Sequence, residues 1–523
     1  MTKPRRDRLG DHLTALSGGA LAFSLLLVFG LLALLAYHGL SHFWQQPLEL
    51  VALKDGRHLL GVLQDREPIP PPSQAAPSPG WRILLKTANR DVNGIDFTWV
   101  DESAIAGTTQ PADVVAIERR EWGEFYGRLV QLKSGTNVVA DGAGAVRSAF
   151  PEVHARAEAA LDAIHALEKG PIGDINHDIR ALELRHRDTT ARREEYGRLA
   201  ERLAHMREDL GRDVLVVEAV DGTRKELPVA NVVRLVEPNA MGFGARAALY
   251  ASRLGEFVGG EPRESNTEGG IFPAIFGTVM MVFLMSFAVT PLGVLAAVYL
   301  REYARQGALV RAVRIAVNNL AGVPSIVFGM FGLGFFVYLV GGSIDRLFFP
   351  EALPAPTFGT GGILWAALTL ALLTVPVVIV AAEEGLAAVP RAVREGSLAL
   401  GATKFETTWR IVVPAAAPGI LTGMILAMAR AAGEVAPLMI VGMVKLAPQL
   451  PIDHHFPFVH LERKFMHLGF HIYDLGFQSP NVEASKPLVF ATALLLVVVV
   501  TLLNLAAIGL RNHLRNKYST SAV

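Results

Sequence analysis

The sequence contains no cysteine, which removes disulfides, thiolate metal sites and cysteine nucleophiles together. It has no excess of either charge: 49 Lys and Arg stand against 49 Asp and Glu. The basic surplus by which a general nucleic-acid binder neutralises phosphates is therefore missing. No G-x-x-x-x-G-K-[ST] run occurs, so the chain shows no P-loop for ATP. No nucleophile–base constellation or metal motif stands out, which makes a free-standing enzyme the least favoured class. Charge is scarce overall, at 19% of 523 residues, while 51% are hydrophobic and the mean hydropathy is +0.34. These values point to a membrane protein.

The apolar residues are concentrated. A stretch near 16–40 carries no charge, and about 20 such residues cross a bilayer as a helix. It is longer than a signal-peptide core and no small-x-small cleavage site follows, so it reads as a retained anchor. Five more candidates follow at 271–300, 318–342, 362–382, 418–444 and 487–510. Six spans put both termini on one side of the membrane. Segments 1–15, 301–317, 383–414 and 511–523 then hold 15 Lys and Arg, beginning with Lys3, Arg5, Arg6 and Arg8. The two short opposite loops hold 5. This bias makes the first set cytoplasmic.

Residues 41–268 are a different material, with 28 Lys and Arg against 35 Asp and Glu. Their net charge of −7 is balanced by +7 elsewhere, so the neutral total is a sum over two compartments. Asp55-Gly56 and Asp221-Gly222 each sit between β-rich runs, a hairpin signal. Glu67 to Pro79 is a Pro-rich loop. Residues 152–210 predict an antiparallel helical hairpin broken near Gly170-Pro171 and Gly173. Tyr196, Leu199, Leu203, Met206 and Leu210 form one apolar seam in its second arm. The expected domain is a small α+β module carrying that hairpin. Asp101, Glu102, Asp113, Glu118 and Glu121 read as a solvated acidic surface.

Two constellations carry chemistry. Residues 383–414 lie between spans four and five and read as an amphipathic helix, a glycine turn at Gly401 and a second helix stopped by Pro414. Such order suits docking of a partner. In the fifth span, Arg430 and Glu434 share a helix face near mid-membrane. A charge there costs roughly 2.5–3.5 kcal/mol, so it usually pairs or lines a pathway. The planar donor fork of Arg suits a tetrahedral oxyanion. A carboxylate such as Glu434 can accept a hydrogen bond from hydrogen phosphate but repels sulfate.

Glu395, Gly396, Ser397, Gly401, Ile411 and Pro414 stand in the register of the coupling loop of ABC-importer permeases, Glu-Ala-Ala, three residues, Gly, nine residues, Ile-x-Leu-Pro. Gly396 and Ser397 replace the alanines and Val413 the leucine. Asn318–Gly329, Pro418–Gly423, Ala429–Leu438, Val389–Arg391, Ala399–Lys404 and Asn504–Ile508 add to the likeness. Together they resemble the A-type permeases of the phosphate-specific transport system, over roughly 265–515, with Val435 where that family usually shows Thr. The resemblance implies a mainly α membrane protein of the ABC type I importer permease fold (MetI-like), with six transmembrane helices and an inserted α+β periplasmic domain.

It further implies that Glu395, Gly396, Ser397, Gly401, Ala402, Thr403, Ile411 and Pro414 couple to an ATPase, while Arg430, Glu434, Asn318, Asn319 and Ser325 face the substrate. No cofactor is expected on this chain; ATP and magnesium belong to the partner. The implied partners are a C-type second permease in a heterodimer, two cytoplasmic ATPase subunits, a periplasmic phosphate-binding protein, a phosphate-signalling regulator and membrane lipid. The implied site is the bacterial inner membrane, with both termini cytoplasmic and the large domain periplasmic. Two rivals remain: a permease for molybdate or sulfate, and a membrane sensor or scaffold in phosphate-starvation signalling. Asp453, His454, His455, His460, His467, His471 and Asp474 crowd the last outer loop; they read as a docking or packing surface rather than a metal site.

Overall fold

The computed structural model describes residues 8–69, 80–479 and 482–519. Lys3, Arg5 and Arg6, most of the Pro-rich loop (70–79) and the end of the tail (520–523) lie outside the described residues. The chain divides into two compact units. One comprises Met1–Phe43, Glu256–Pro262 and Gly269–Val523, and the other Trp44–Gly255 and Arg263–Glu268.

Among the described residues of the first unit, six helices are long and apolar enough to span a membrane: His12–Ser41, Phe272–Tyr303, Ser325–Phe348, Ile363–Ala388, Lys404–Gly433 and Ser485–His513. Hydroxyls within them bond back to their own helix, as Thr278 does to Ala274 O (2.7 Å) and Thr374 to Leu370 O (2.8 Å). Span four is the most enclosed. It packs against spans two and five through glycine, where side chains would hold the backbones apart. A Cβ on Gly419 would lie 2.6 Å from Gly385 Cα, and one on Gly293 2.6 Å from Val378 Cγ1. Met281, Met285, Ile363, Leu370, Leu438 and Phe465 fill the core between them.

Two spans differ from the sequence-based expectation. Span three begins at Ser325 rather than 318, because Pro324 (φ −56°, ψ 135°) has no N–H to continue a helix. Residues before it form a separate amphipathic helix, Ala308–Leu320. Span five begins at Lys404 rather than 418 and runs straight through Pro414. The turn just before that proline, Thr408–Val412, is a π-turn. Its extra residue takes up the missing N–H and the ring, so Pro414 does not stop the helix.

The second unit is built on two antiparallel sheets. Strands β1 (Glu49–Leu53), β2 (His58–Pro68), β3 (Trp81–Lys86), β4 (Phe97–Asp101) and β5 (Ile105–Thr109) lie in the order β4-β3-β2-β1-β5. The second sheet contains β6 (Val115–Arg119), β7 (Phe125–Ser134), β8 (Asn137–Asp141), β9 (Asp213–Glu218), β10 (Arg224–Pro228) and β11 (Val232–Val236). Its order is β10-β9-β7-β6-β11, with β8 paired to β7. Gly56 (φ +88°) and Gly222 (φ +87°) form the Asp-Gly turns of the β1–β2 and β9–β10 hairpins.

The helical excursion separates β8 from β9 and has more parts than two arms: Ala143–Leu167, Gly173–Leu184 and Thr190–Leu210. Val146, Phe150, Val153 and Ala157 bury its first helix on the second sheet. The last helix has no fully buried residue, so its apolar seam is only half covered.

Candidate functional site

The segment between spans four and five folds as Arg391–Ala399, a turn, and the start of span five at Lys404. Gly401 makes the turn with φ +89°, a conformation that costs any side chain strain. Its N–H donates to Leu398 O (3.0 Å), and that of Ala402 to Ser397 O (3.3 Å). Thr403 caps the next helix in a reciprocal box: its Oγ1 accepts from Glu406 N, and Glu406 Oε2 accepts from Thr403 N at 3.0 Å. Ser397 is buried and meets Thr407 (Oγ–Oγ1 2.8 Å), locking the two limbs together.

Glu395 and Gly396 are exposed beside Leu398, Leu400 and Phe405, whose apolar surface is open, Leu400 to 90%. Ile411 lies in the π-turn and Pro414 one turn beyond. Two ion pairs that sequence reading missed hold this element in place. Arg394 reaches Glu302 at the end of span two (3.0 Å) and the carbonyl of Leu386 (2.6 Å). Arg314 meets Glu383 at 3.2 Å. The acidic Glu383-Glu384 directly after an apolar run was the available signal.

Span five stops at Gly433. Glu434 is extended (φ −80°, ψ 127°), and a short helix, Ala436–Val441, restarts with Pro437 in its first turn. Arg430 and Glu434 therefore do not sit in one continuous helix as the spacing predicts. They nonetheless meet across the break, Nε to Oε1 3.4 Å, with side chains 36% and 21% exposed. A single long contact leaves most of the guanidinium fork and one carboxylate oxygen unengaged among the described residues. Ser325 opens span three, and Gly329, one turn on, touches the restarted helix: a Cβ there would lie 2.7 Å from Pro437 Cα. Asn318 and Asn319 fall elsewhere. They are exposed at the end of Ala308–Leu320, outside the span, and away from the Arg430–Glu434 pair in the hydrogen bonding of the described residues.

The loop histidines separate into two groups. Asp453 accepts from His455 N (2.8 Å), His460 Nε2 (2.9 Å) and Arg463, while His460 Nδ1 faces Glu462 at 3.0 Å. These bonds to Asp453 fix the loop. His467 and His471 are buried, and burial pushes both imidazoles down to about 4, so they are neutral near pH 7.

The second unit holds a buried charge network. Glu118, expected on a solvated surface, is buried between Arg234 (2.8 Å) and Arg253. Lys86 and the Tyr126 hydroxyl meet Glu124 at 2.6 and 2.5 Å. Burial raises the Glu124 carboxyl, but the Lys86 charge and these bonds prevail and hold it down to about 2. Burial pushes Glu268 up to about 7, with the negative Glu124 adding to the rise and Lys86 opposing it.

Comparison with known proteins places this architecture. The family of binding-protein-dependent transport system inner membrane components matches residues 289–519. The phosphate transport system permease protein PstA 1 of Mycobacterium tuberculosis (strain CDC 1551 / Oshkosh) is 35% identical over 244 residues, 46% of this chain and 71% of that protein. The PstA of Yersinia pestis is 33% identical over 246 residues, 47% of this chain and 74% of that protein. The chain belongs to the PstA-type permeases. It is thus an inner-membrane ABC permease of the MetI-like fold, a transport subunit and not an enzyme. A solved methionine transporter, "Inward facing conformations of the MetNI methionine ABC transporter", overlaps 46% of this permease and 94% of its own chain at 20% identity, TM-score 0.35. The family match begins at 289, so the unit at 44–255 and 263–268 lies outside it.

Proposed function

We propose that this permease forms half of the translocation pathway of an ATP-driven importer of inorganic phosphate. The observation that carries the reading is the Arg430–Glu434 pair at the break of span five, in a chain 35% identical to a phosphate transport system permease. A cation with free donors beside a carboxylate with a free oxygen complements a tetrahedral anion that still carries a proton. Broken spans serve transporters in this way, because freed backbone groups are tolerated where they line a cavity.

The loop 383–414 couples the spans to a cytoplasmic ATPase. Its rigid turn and exposed Leu398, Leu400 and Phe405 support that role. ATP and magnesium bind two such partner subunits, which draw paired loops together and switch access between the two sides. A C-type permease completes the heterodimer, and a periplasmic binding protein delivers phosphate. Both termini lie in the cytoplasm and residues 41–268 in the periplasm; a phosphate-signalling regulator contacts the same complex.

Replacing Arg430 with Gln tests the pathway. Co-purification with the ATPase is expected to persist while labelled-phosphate uptake falls at least about tenfold, the loss of roughly one charge-assisted bond. Normal uptake by the variant would sink the pathway role. Stronger inhibition by molybdate or sulfate than by unlabelled phosphate would reassign the anion.

A further inference from the structure

The segment after the Asp453 network is threaded into the spanning bundle, at the end opposite the coupling loop. Phe465 joins the core with Met281 and Met285. Leu468 N–H donates to Thr278 Oγ1 of span two at 2.9 Å. A Cβ on Gly277 would lie 2.1 Å from Met466 O, and one on Gly469 2.6 Å from Val435 Cγ2. Val435 follows Glu434 directly, so the short helix Leu468–Tyr473 is seated on the break of span five.

His467, His471 and Asp474 recur at spacings of four and three, one face of this helix and the π-turn after it. All three are at least 98% buried. Among the described residues, His467 Nε2, both ring nitrogens of His471 and Asp474 Oδ1 find no hydrogen-bond partner. The other oxygen of Asp474 meets Lys445 Nζ at 3.1 Å, and the Lys445 charge acts on His471. Buried polar atoms are nearly always satisfied, so four orphans on one face ask for a missing hydrogen-bonding partner.

The chemistry of that partner can be read from the orphans. His467, whose Nδ1 accepts from Gly469 N, keeps an Nε2–H donor; neutral His471 keeps one N–H donor and one acceptor nitrogen; Lys445 supplies a cation, and Asp474 Oδ1 is a further acceptor. Donors and a cation beside acceptors resemble the recipe of Arg430–Glu434. The geometry points to a second oxyanion site at His467, His471, Asp474 and Lys445, which takes a proton-bearing tetrahedral anion on its way to the break of span five. This inference rests on the phosphate reading above.

The natural lack of cysteine allows a direct test. His467→Cys leaves His471, Asp474 and Lys445 in place. The full complex in vesicles is treated with a membrane-impermeant thiosulfonate, resting and vanadate-trapped, with inorganic phosphate or sulfate. The expected result is labelling in at least one state, slowed about fivefold or more by phosphate at several times its dissociation constant and not by sulfate. Asp474→Asn serves as a second variant, expected to cut phosphate uptake about tenfold while ATP hydrolysis stimulated by the binding protein stays within about twofold. Labelling equal with and without phosphate, no labelling in either state, or unchanged uptake by Asp474→Asn would overturn the site. Wild-type vesicles that import no phosphate would instead overturn the functional reading on which it rests.

Discussion

Thr278, Ser286, Thr369, Thr374 and Thr492 in the spanning helices each return their hydroxyl to a carbonyl one turn back. In the other unit, Glu118 ties Arg234 and Arg253 from positions 116 and 135 residues away, and Asp91 meets the buried Arg119 at 2.9 Å. Both devices satisfy groups withdrawn from water, but they do different work. These hydroxyl hydrogens go to their own helices, and although Thr278 also accepts from Leu468 N and Thr374 lies 3.4 Å from Met285 Sδ, contact between spans rests mostly on glycine and apolar packing. A charge bonded across strands cross-links the sheet, and removing one member strands the other. The membrane unit departs from its own habit at Arg430–Glu434, and at the orphaned face of His467, His471 and Asp474. Those departures are where function is expected.

Breaking the cross-link should give the largest effect. Glu118→Ala removes the buried carboxylate that ties Arg234 to Arg253 and is expected to destabilise the second unit by about 3–5 kcal/mol. Urea unfolding followed through Trp81, Trp99 and Trp122 would report it. A loss under about 1 kcal/mol would mean that the network is not a structural tie.

A pH series sharpens the same contrast. The folded unit holds a proton on Glu268 up to about pH 7, whereas the unfolded chain releases it near the usual 4.5. Its contribution is therefore full below 4.5 and lost as pH rises through 7. Glu124, held near 2, works the other way: its contribution is present above 4.5 and lost as pH falls toward 2. The melting temperature of the second unit should fall between pH 5 and 7 in the wild type and stay level in Glu268→Gln. Parallel curves would remove Glu268 from this role.

The smallest effect belongs to the spans. Thr369→Val removes a hydroxyl bonded to its own helix (Trp365 O, 2.7 Å) and should change stability by less than about 1 kcal/mol, because among the described residues no hydrogen-bond partner across a helix interface is stranded. A thermal shift comparable to that of Glu118→Ala would contradict the difference between the units.

The spans were legible because about 20 uninterrupted apolar residues have few other uses. The hairpins at Gly56 and Gly222 were legible because only a narrow set of residues takes a positive φ. The register from Glu395 to Pro414 was likewise written in fixed spacings. What escaped depends on context. The apolar run continues on both sides of the break at Glu434, so hydropathy alone cannot see it. Pro414 is a helix breaker by composition, but the π-turn at Thr408–Val412 accommodates it. Glu118 resembled a surface acid because its partners lie more than a hundred residues away. His467, His471 and Asp474 looked like members of one loop cluster until burial separated them from the Asp453 network.

The most direct test is labelled-phosphate uptake by vesicles holding the purified permease, its C-type partner and the ATPase, with loaded binding protein outside and ATP supplied to the ATPase face. Uptake that requires ATP, is competed by unlabelled phosphate more strongly than by sulfate or molybdate, and collapses in Gly401→Val is the predicted result. ATP-independent uptake, no uptake by the wild-type complex, or full uptake by Gly401→Val would contradict it.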